Sequence, residues 1–183
     1  MTQTEATRAA ATRTATLNIG VRPRLTFKNQ AEEAVNFYVS VFPNSSVVSM
    51  LRSDAKLDSV LEDKGGMPEG SVLHASFVLD GQEYTAFDGG EHFIFSDAFS
   101  LVATCETQQE LDAIWNQLAD GGEEGPCGWL TDKFGVSWQV VPSSLGRMMG
   151  DSEHGDPGKV VEAFLRMKKL DIATLECAYR GES

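Results

Sequence analysis

Cysteine is scarce in this chain of 183 residues. The three that occur, Cys105, Cys127 and Cys177, are widely spaced and form no CxxC pair. That spacing excludes a zinc knuckle or a disulfide framework and predicts reduced thiols in a cytoplasmic protein. Histidine is equally rare, and His74, His92 and His154 show none of the paired spacing of a zinc-binding helix. Basic residues are outnumbered 15 to 27, for a net charge of −12 and a pI near 4.6. Such a surface repels phosphate backbones and anionic lipid, which argues against nucleic-acid partners. No stretch approaches the roughly 20 apolar residues of a membrane span, so no membrane partner is expected. A GxSxG elbow is missing, and Cys127 sits in PCGW without a neighbouring base, so nothing points to nucleophilic catalysis.

What the chain does have is one short unit twice. The segment NQAEEAVNFYVSVF (29–42) lines up with ETQQELDAIWNQLA (106–119) at an offset of 77, placing Tyr38 on Trp115. GQEYTAF from Gly81 lines up with GVSWQVV from Gly135 at an offset of 54, placing Thr85 on Gln139. The first copy carries a longer insert, roughly Asp54 to Ser71, rich in Gly, Pro and charge as surface loops are. Hydrophobic residues make up 42% of the chain, enough to build a core around such a pair.

Periodicity predicts the elements of each copy. A strand is expected from Val21 to Lys28, then a helix whose apolar face is Ala31, Ala34, Val35, Tyr38 and Phe42, ended by Pro43-Asn44-Ser45. Ser46–Arg52, Ser71–Leu79 and Gln82–Phe87 read as strands, the last two joined at Asp80-Gly81, a two-residue hairpin signal. In the second copy the helix spans Gln108–Asp120 with Leu111, Ile114, Trp115 and Leu118 inward, stopped by Gly121-Gly122. Trp129–Thr131 and Val136–Val141 bracket a tight turn at 132–135. Helical spacing returns at Val160, Val161, Phe164 and Met167, and again over Asp171–Tyr179. The expected organisation is an extension over residues 1–20, rich in Thr and Ala, then paired modules over 21–142 (about 21–88 and 98–142), then a helical C-terminal extension over 143–183. The first segment suits an unstructured tail better than an import presequence and lacks the apolar core of a secretory signal.

Four segments carry a family resemblance: LTFKNQAEEAVNFYVSVFP, VLDGQEYTAFDGG, SLVATCETQQELDAIWNQLADGG and CGWLTDKFGVSWQVVP. Together they resemble the PhnB-like family, whose members often bear the name 3-demethylubiquinone-9 3-methyltransferase-like. That family lies in the vicinal oxygen chelate superfamily, with glyoxalase I, bleomycin-resistance proteins and extradiol dioxygenases. The resemblance covers about Arg22 to Gly181. It implies an α+β fold of two βαβββ modules whose strands form a curled mixed sheet around a cleft, and a homodimer.

Metal-dependent members of the superfamily hold their ion with His, Glu or Gln from the first and last strands of each module. Carried over by the internal offsets, those positions are Thr85 and Gln139 on the last strands and Pro23 and Ser100 on the first. Proline cannot coordinate, neutral hydroxyls are poor ligands and Gln139 alone fits the pattern, so no metal is expected. A one-residue slip would bring in only Arg24, Ala86 or Asp88, and Leu101. The methyl-transfer name implies a nucleotide-type cofactor, yet no glycine cluster lies between a strand and a helix, so no cofactor is expected. Two readings follow. One is a small organic ligand held without a metal against Phe27, Thr85, Phe87, Ser100, Trp129 and Gln139. The other is an enzyme using acid–base chemistry by Glu83, Asp88 or His92.

Overall fold

The computed structural model describes residues 20–54 and 70–182. The N-terminal extension up to residue 19, and residues 55–69 of the expected long loop, lie outside them. The first module runs β1 (Arg24–Phe27), α1 (Ala31–Val41), β2 (Ser46–Arg52), β3 (Val72–Leu79) and β4 (Gln82–Asp88). The second repeats it as β5 (Leu101–Cys105), α2 (Gln108–Ala119), β6 (Glu123–Glu124), β7 (Trp129–Thr131) and β8 (Ser137–Pro142). Each module forms a four-stranded sheet of matching order, β1-β4-β3-β2 and β5-β8-β7-β6, with the first and last strands parallel and the other pairs antiparallel. Two βαβββ modules with mixed sheets are therefore present, as the sequence predicts.

Local chemistry explains the elements. Along α1 the stripe Ala31, Ala34, Val35, Tyr38 and Val41 is buried, as a 3.6-residue period requires. Its first turn is held from outside the helix. Asp88, at the end of β4, accepts from Ala31 N at 2.9 Å through Oδ1 and from Val72 N at 2.8 Å through Oδ2. One buried carboxylate thus ties the starts of α1 and β3 to the end of β4. In the second module a capping box does the equivalent work, with Thr107 and Glu110 each bonding the other's backbone. The β3–β4 hairpin has φ of 44° at Asp80 and 79° at Gly81, the pair of positive angles that its turn demands. Gly122 answers a close approach, since a Cβ there would lie 2.2 Å from the Thr131 carbonyl oxygen.

The helix-covered faces of both sheets merge into one hydrophobic core. At the joint, Tyr38 of α1 packs edge-on against Phe134 and lies 5.4 Å, centroid to centroid, from Trp138, while Phe42 stacks on Trp138. Asp132 sits beneath them, buried, and accepts four hydrogen bonds. Its Oδ2 takes Tyr38 OH at 2.7 Å and Trp138 Nε1 at 2.8 Å, and its Oδ1 takes the backbone N–H of Phe134 and of Val136.

The C-terminal extension is helical, as expected, with one helix the periodicity did not announce. α3 (Leu145–Gly150) precedes α4 (Pro157–Leu165) and α5 (Ile172–Tyr179). At six residues, α3 is too short to display a period, and only Met148 is buried. The two-residue strand β6 escaped notice for the same reason. The extension is stitched to the second module by its backbone, Cys127 N donating to Met167 O and Gly128 N to Lys168 O, both at 2.7 Å. Gln108 clasps it from α2, donating to Leu170 O and accepting from Ile172 N.

Candidate functional site

Each sheet has one face in the core and one open face, and strand alternation decides which residues occupy the latter. In the first module Leu25, Ala75, Phe77 and Ala86 are buried against α1. The opposite face presents a lateral row across all four strands, Arg24–Thr85–Ser76–Ser49, given by the register of the sheet. The neighbouring row begins Thr26–Phe87. In the second module the corresponding row is Val102–Gln139–Trp129.

This register corrects the first-strand positions taken from the internal offset. Thr85 is paired with Arg24 and Gln139 with Val102, so the strands repeat at 78 where the helices repeat at 77. The cause is a turn one residue shorter: residues 28–30 separate β1 from α1, but only 106 and 107 separate β5 from α2. Pro23 and Ser100 are therefore not equivalent. Ser100 nonetheless lies at the site, its Oγ accepting from Gln139 Nε2 at 2.9 Å.

Of the residues singled out from sequence, Thr85, Phe87, Ser100, Trp129 and Gln139 are partly exposed on the open faces. Phe27 is different. It lies 1% exposed in the core against Phe95 and Phe134, with no surface left for a ligand. Glu83 is ion-paired with Arg22. Asp88 has both oxygens engaged by backbone N–H groups, as described above. His92 is exposed, beyond the end of β4. The structure does not bring the two sets together in one chain. Both covered faces belong to the shared core, which leaves the two open faces outside it.

Arg24 is the residue that sequence reasoning undervalued. Its Nε donates to Thr85 Oγ1 at 3.1 Å, and its guanidinium carbon lies 5.5 Å from the centroid of the Phe87 ring. The signal was present in the alternation of Arg24 and Thr26 with buried Leu25 and Phe27. It was masked by the offset borrowed from the helix.

The donor set does not suit a divalent ion. A guanidinium is a permanent cation without a lone pair to give, and Val102 has no donor atom at all. Among the described residues no three His, Cys, Asp or Glu side chains converge. A nucleotide-type cofactor fares no better. Neither strand-to-helix turn contains glycine, and the N-termini of α1 and α2 already hold the protein's own carboxylates, Asp88 and Glu110. Two hollows border the second module's open row, one reaching Val102 and the other Trp129. One, about 450 Å³, follows β5 at the joint between modules, where Phe42, Leu79, Tyr84 and Ile114 are rimmed by Asp80, Glu106 and Glu110. The other, about 430 Å³, lies beside Trp129 with Asp97, Glu123 and Glu124.

Burial pushes the Tyr38 phenol well above its usual value, with the Asp132 carboxylate adding to the effect. Burial likewise raises the Cys105 thiol to about 11, aided by Glu110.

Known proteins bear out the architecture. The family model for 3-demethylubiquinone-9 3-methyltransferase matches residues 20–141. A PhnB protein from Bacillus cereus is 38% identical, with a TM-score of 0.59 over 67% of this chain and 98% of its own. A Pseudomonas aeruginosa protein of 22% identity shares the fold at a TM-score of 0.53, over 68% of this chain and 97% of its own. So does a fosfomycin resistance protein, FosX, from Listeria monocytogenes, at 12% identity and 0.51, over 74% and 99%. No curated protein sequence matches. With its duplicated modules and the match across both, the chain belongs to the 3-demethylubiquinone-9 3-methyltransferase, or PhnB, family of the vicinal oxygen chelate superfamily.

Proposed function

We propose that this protein binds a small organic molecule on its open sheet faces without a metal, acting as a cytoplasmic homodimer. The observation that carries this reading is the pairing of Thr85 with Arg24 and of Gln139 with Val102. At the four positions where the superfamily's metal enzymes place their donors, this chain has a fixed cation, a neutral hydroxyl, a hydrocarbon and, in Gln139 alone, a residue of ligand type. What remains is an aromatic and aliphatic surface with a few polar groups, the usual composition of a small-molecule site.

The homodimer fits the placement of the faces. Each is open on its own chain, and Val102, on the edge strand at the end of its row, is 58% exposed. A second copy that set its first module against the second module of its partner would wall a cleft with both. Three unpaired thiols suit a reducing compartment.

The acid–base alternative has less to draw on. Asp88 serves as a backbone clasp and Glu83 as an ion-pair partner, which leaves only His92 of the three unengaged. Native mass spectrometry of protein purified without added metal tests the main reading. A dimer free of transition metal is expected. One tightly held Ni, Zn, Fe or Mn per chain would overturn it.

A further inference from the structure

One basic side chain of the first module's sheet lacks a carboxylate partner among the described residues. Among its described basic side chains, Arg22 is paired with Glu83, Lys28 with Glu91 and Arg52 with Glu32. Arg24 has no carboxylate partner among the described residues, although acidic residues exceed basic ones by 27 to 15 in the whole chain.

Its geometry is fixed all the same. Thr85 Oγ1 accepts from Arg24 Nε and donates to Pro23 O at 3.4 Å, so the hydroxyl orients the guanidinium. The Phe87 ring supports it from one side. Phe93 meets that ring edge-on, with 47% of its own surface exposed. Neither Nη atom has a hydrogen-bond partner among the described residues. Those two nitrogens form the forked edge that matches two oxygens of one anion. Ser76 places a further hydroxyl in the same row.

We propose that the open face of the first module recognises the oxyanion head of a small organic ligand, a carboxylate or a phosphonate, through the free Nη edge of Arg24, with the ligand's apolar body beside Phe93. This rests on the small-molecule reading above and adds the ligand's charge. The guanidinium takes the electrostatic part that a metal ion plays elsewhere in the superfamily, without offering a coordination site.

The test uses the full-length protein and three probes of similar size: benzoate, phenylphosphonate and neutral benzamide. Binding is followed by amide chemical shifts at Thr85 and Phe87. Benzoate, phenylphosphonate or both should bind at least about tenfold more tightly than benzamide, as a charge-assisted pair requires. Arg24→Gln should erase that preference, and Arg24→Lys should keep part of it while losing the bidentate fit. Which anion binds more tightly distinguishes a planar from a tetrahedral head. Equal binding of benzoate and benzamide, unchanged in Arg24→Gln, would overturn the anion assignment and leave the small-molecule reading standing. No shift at Thr85 or Phe87 with any probe would count against both.

Discussion

Replacing Tyr38 by Phe removes a single hydroxyl from the joint between the modules, and the structure says what that should cost. The hydroxyl donates to Asp132 Oδ2 at 2.7 Å where tyrosine and aspartate are both buried. A hydrogen bond to a charged acceptor contributes about 1.5–3 kcal/mol. The ring keeps its contacts with Phe134 and Trp138, so no cavity term is added. A loss of about 2 kcal/mol is expected, which in a chain of this length lowers Tm by about 4–8 °C. Asp132→Asn is the complementary change. Its amide can still donate to the tyrosine oxygen, but the indole N–H of Trp138 then faces a donor and loses its acceptor, at about 1–3 kcal/mol. The two effects should not add, because Tyr38→Phe combined with Asp132→Asn no longer removes a bond to a charge. Urea denaturation of the single and double variants measures the coupling. Tyr84→Phe is the control, for its half-buried ring stacks on Phe77 and its hydroxyl has no hydrogen-bond partner among the described residues. The same joint predicts an alkaline limit. A phenol whose folded pKa is raised contributes stability that is present below about pH 10, its unfolded value, and lost as pH rises towards the folded one. A Tyr38→Phe variant within about 0.5 kcal/mol of the parent would refute this account of the joint.

Two more outcomes follow from other sites. Cys105 is 2% exposed with its thiol raised to about 11, so a thiol reagent near neutral pH should label Cys127 and Cys177 first; equal rates for all three would contradict its burial. On the acid side, the Lys169 ammonium holds Asp112 below its usual value, and the Thr174 hydroxyl and backbone N–H do the same for Asp171. Depressed folded pKa values give stability that is present above about pH 4 and lost as pH falls through them. Hydrogen exchange in α5 should therefore accelerate below about pH 4 before it does in β4, and simultaneous loosening of both would count against this.

Much of the fold was legible because duplication made each module a check on the other. Tyr38 and Trp115 share a helical position, and both are buried. The Asp80-Gly81 turn could be read from two residues, since few pairs tolerate positive φ twice. The site was harder. A strand has a period of two, so a one-residue difference in the preceding turn exchanges its faces, whereas a helix shifted by one residue still shows an apolar stripe. Pro23 was named for Arg24 on that account. Phe27 suits a ligand wall by residue type because aromatic side chains serve cores and clefts alike; its strand face, with Phe95 and Phe134 against it, decides for the core. Asp132 gave no sign of its importance, since its four partners come from α1, β8 and its own turn.

Gathering the helix-covered faces of both sheets into one core separates two kinds of selective pressure. Residues that keep the chain folded point inward, while Arg24, Thr85, Val102, Trp129 and Gln139 point outward. Substitutions along those outer rows leave the interior packing untouched. What this chain recognises can thus change by substitution on those rows without touching the residues that hold it folded.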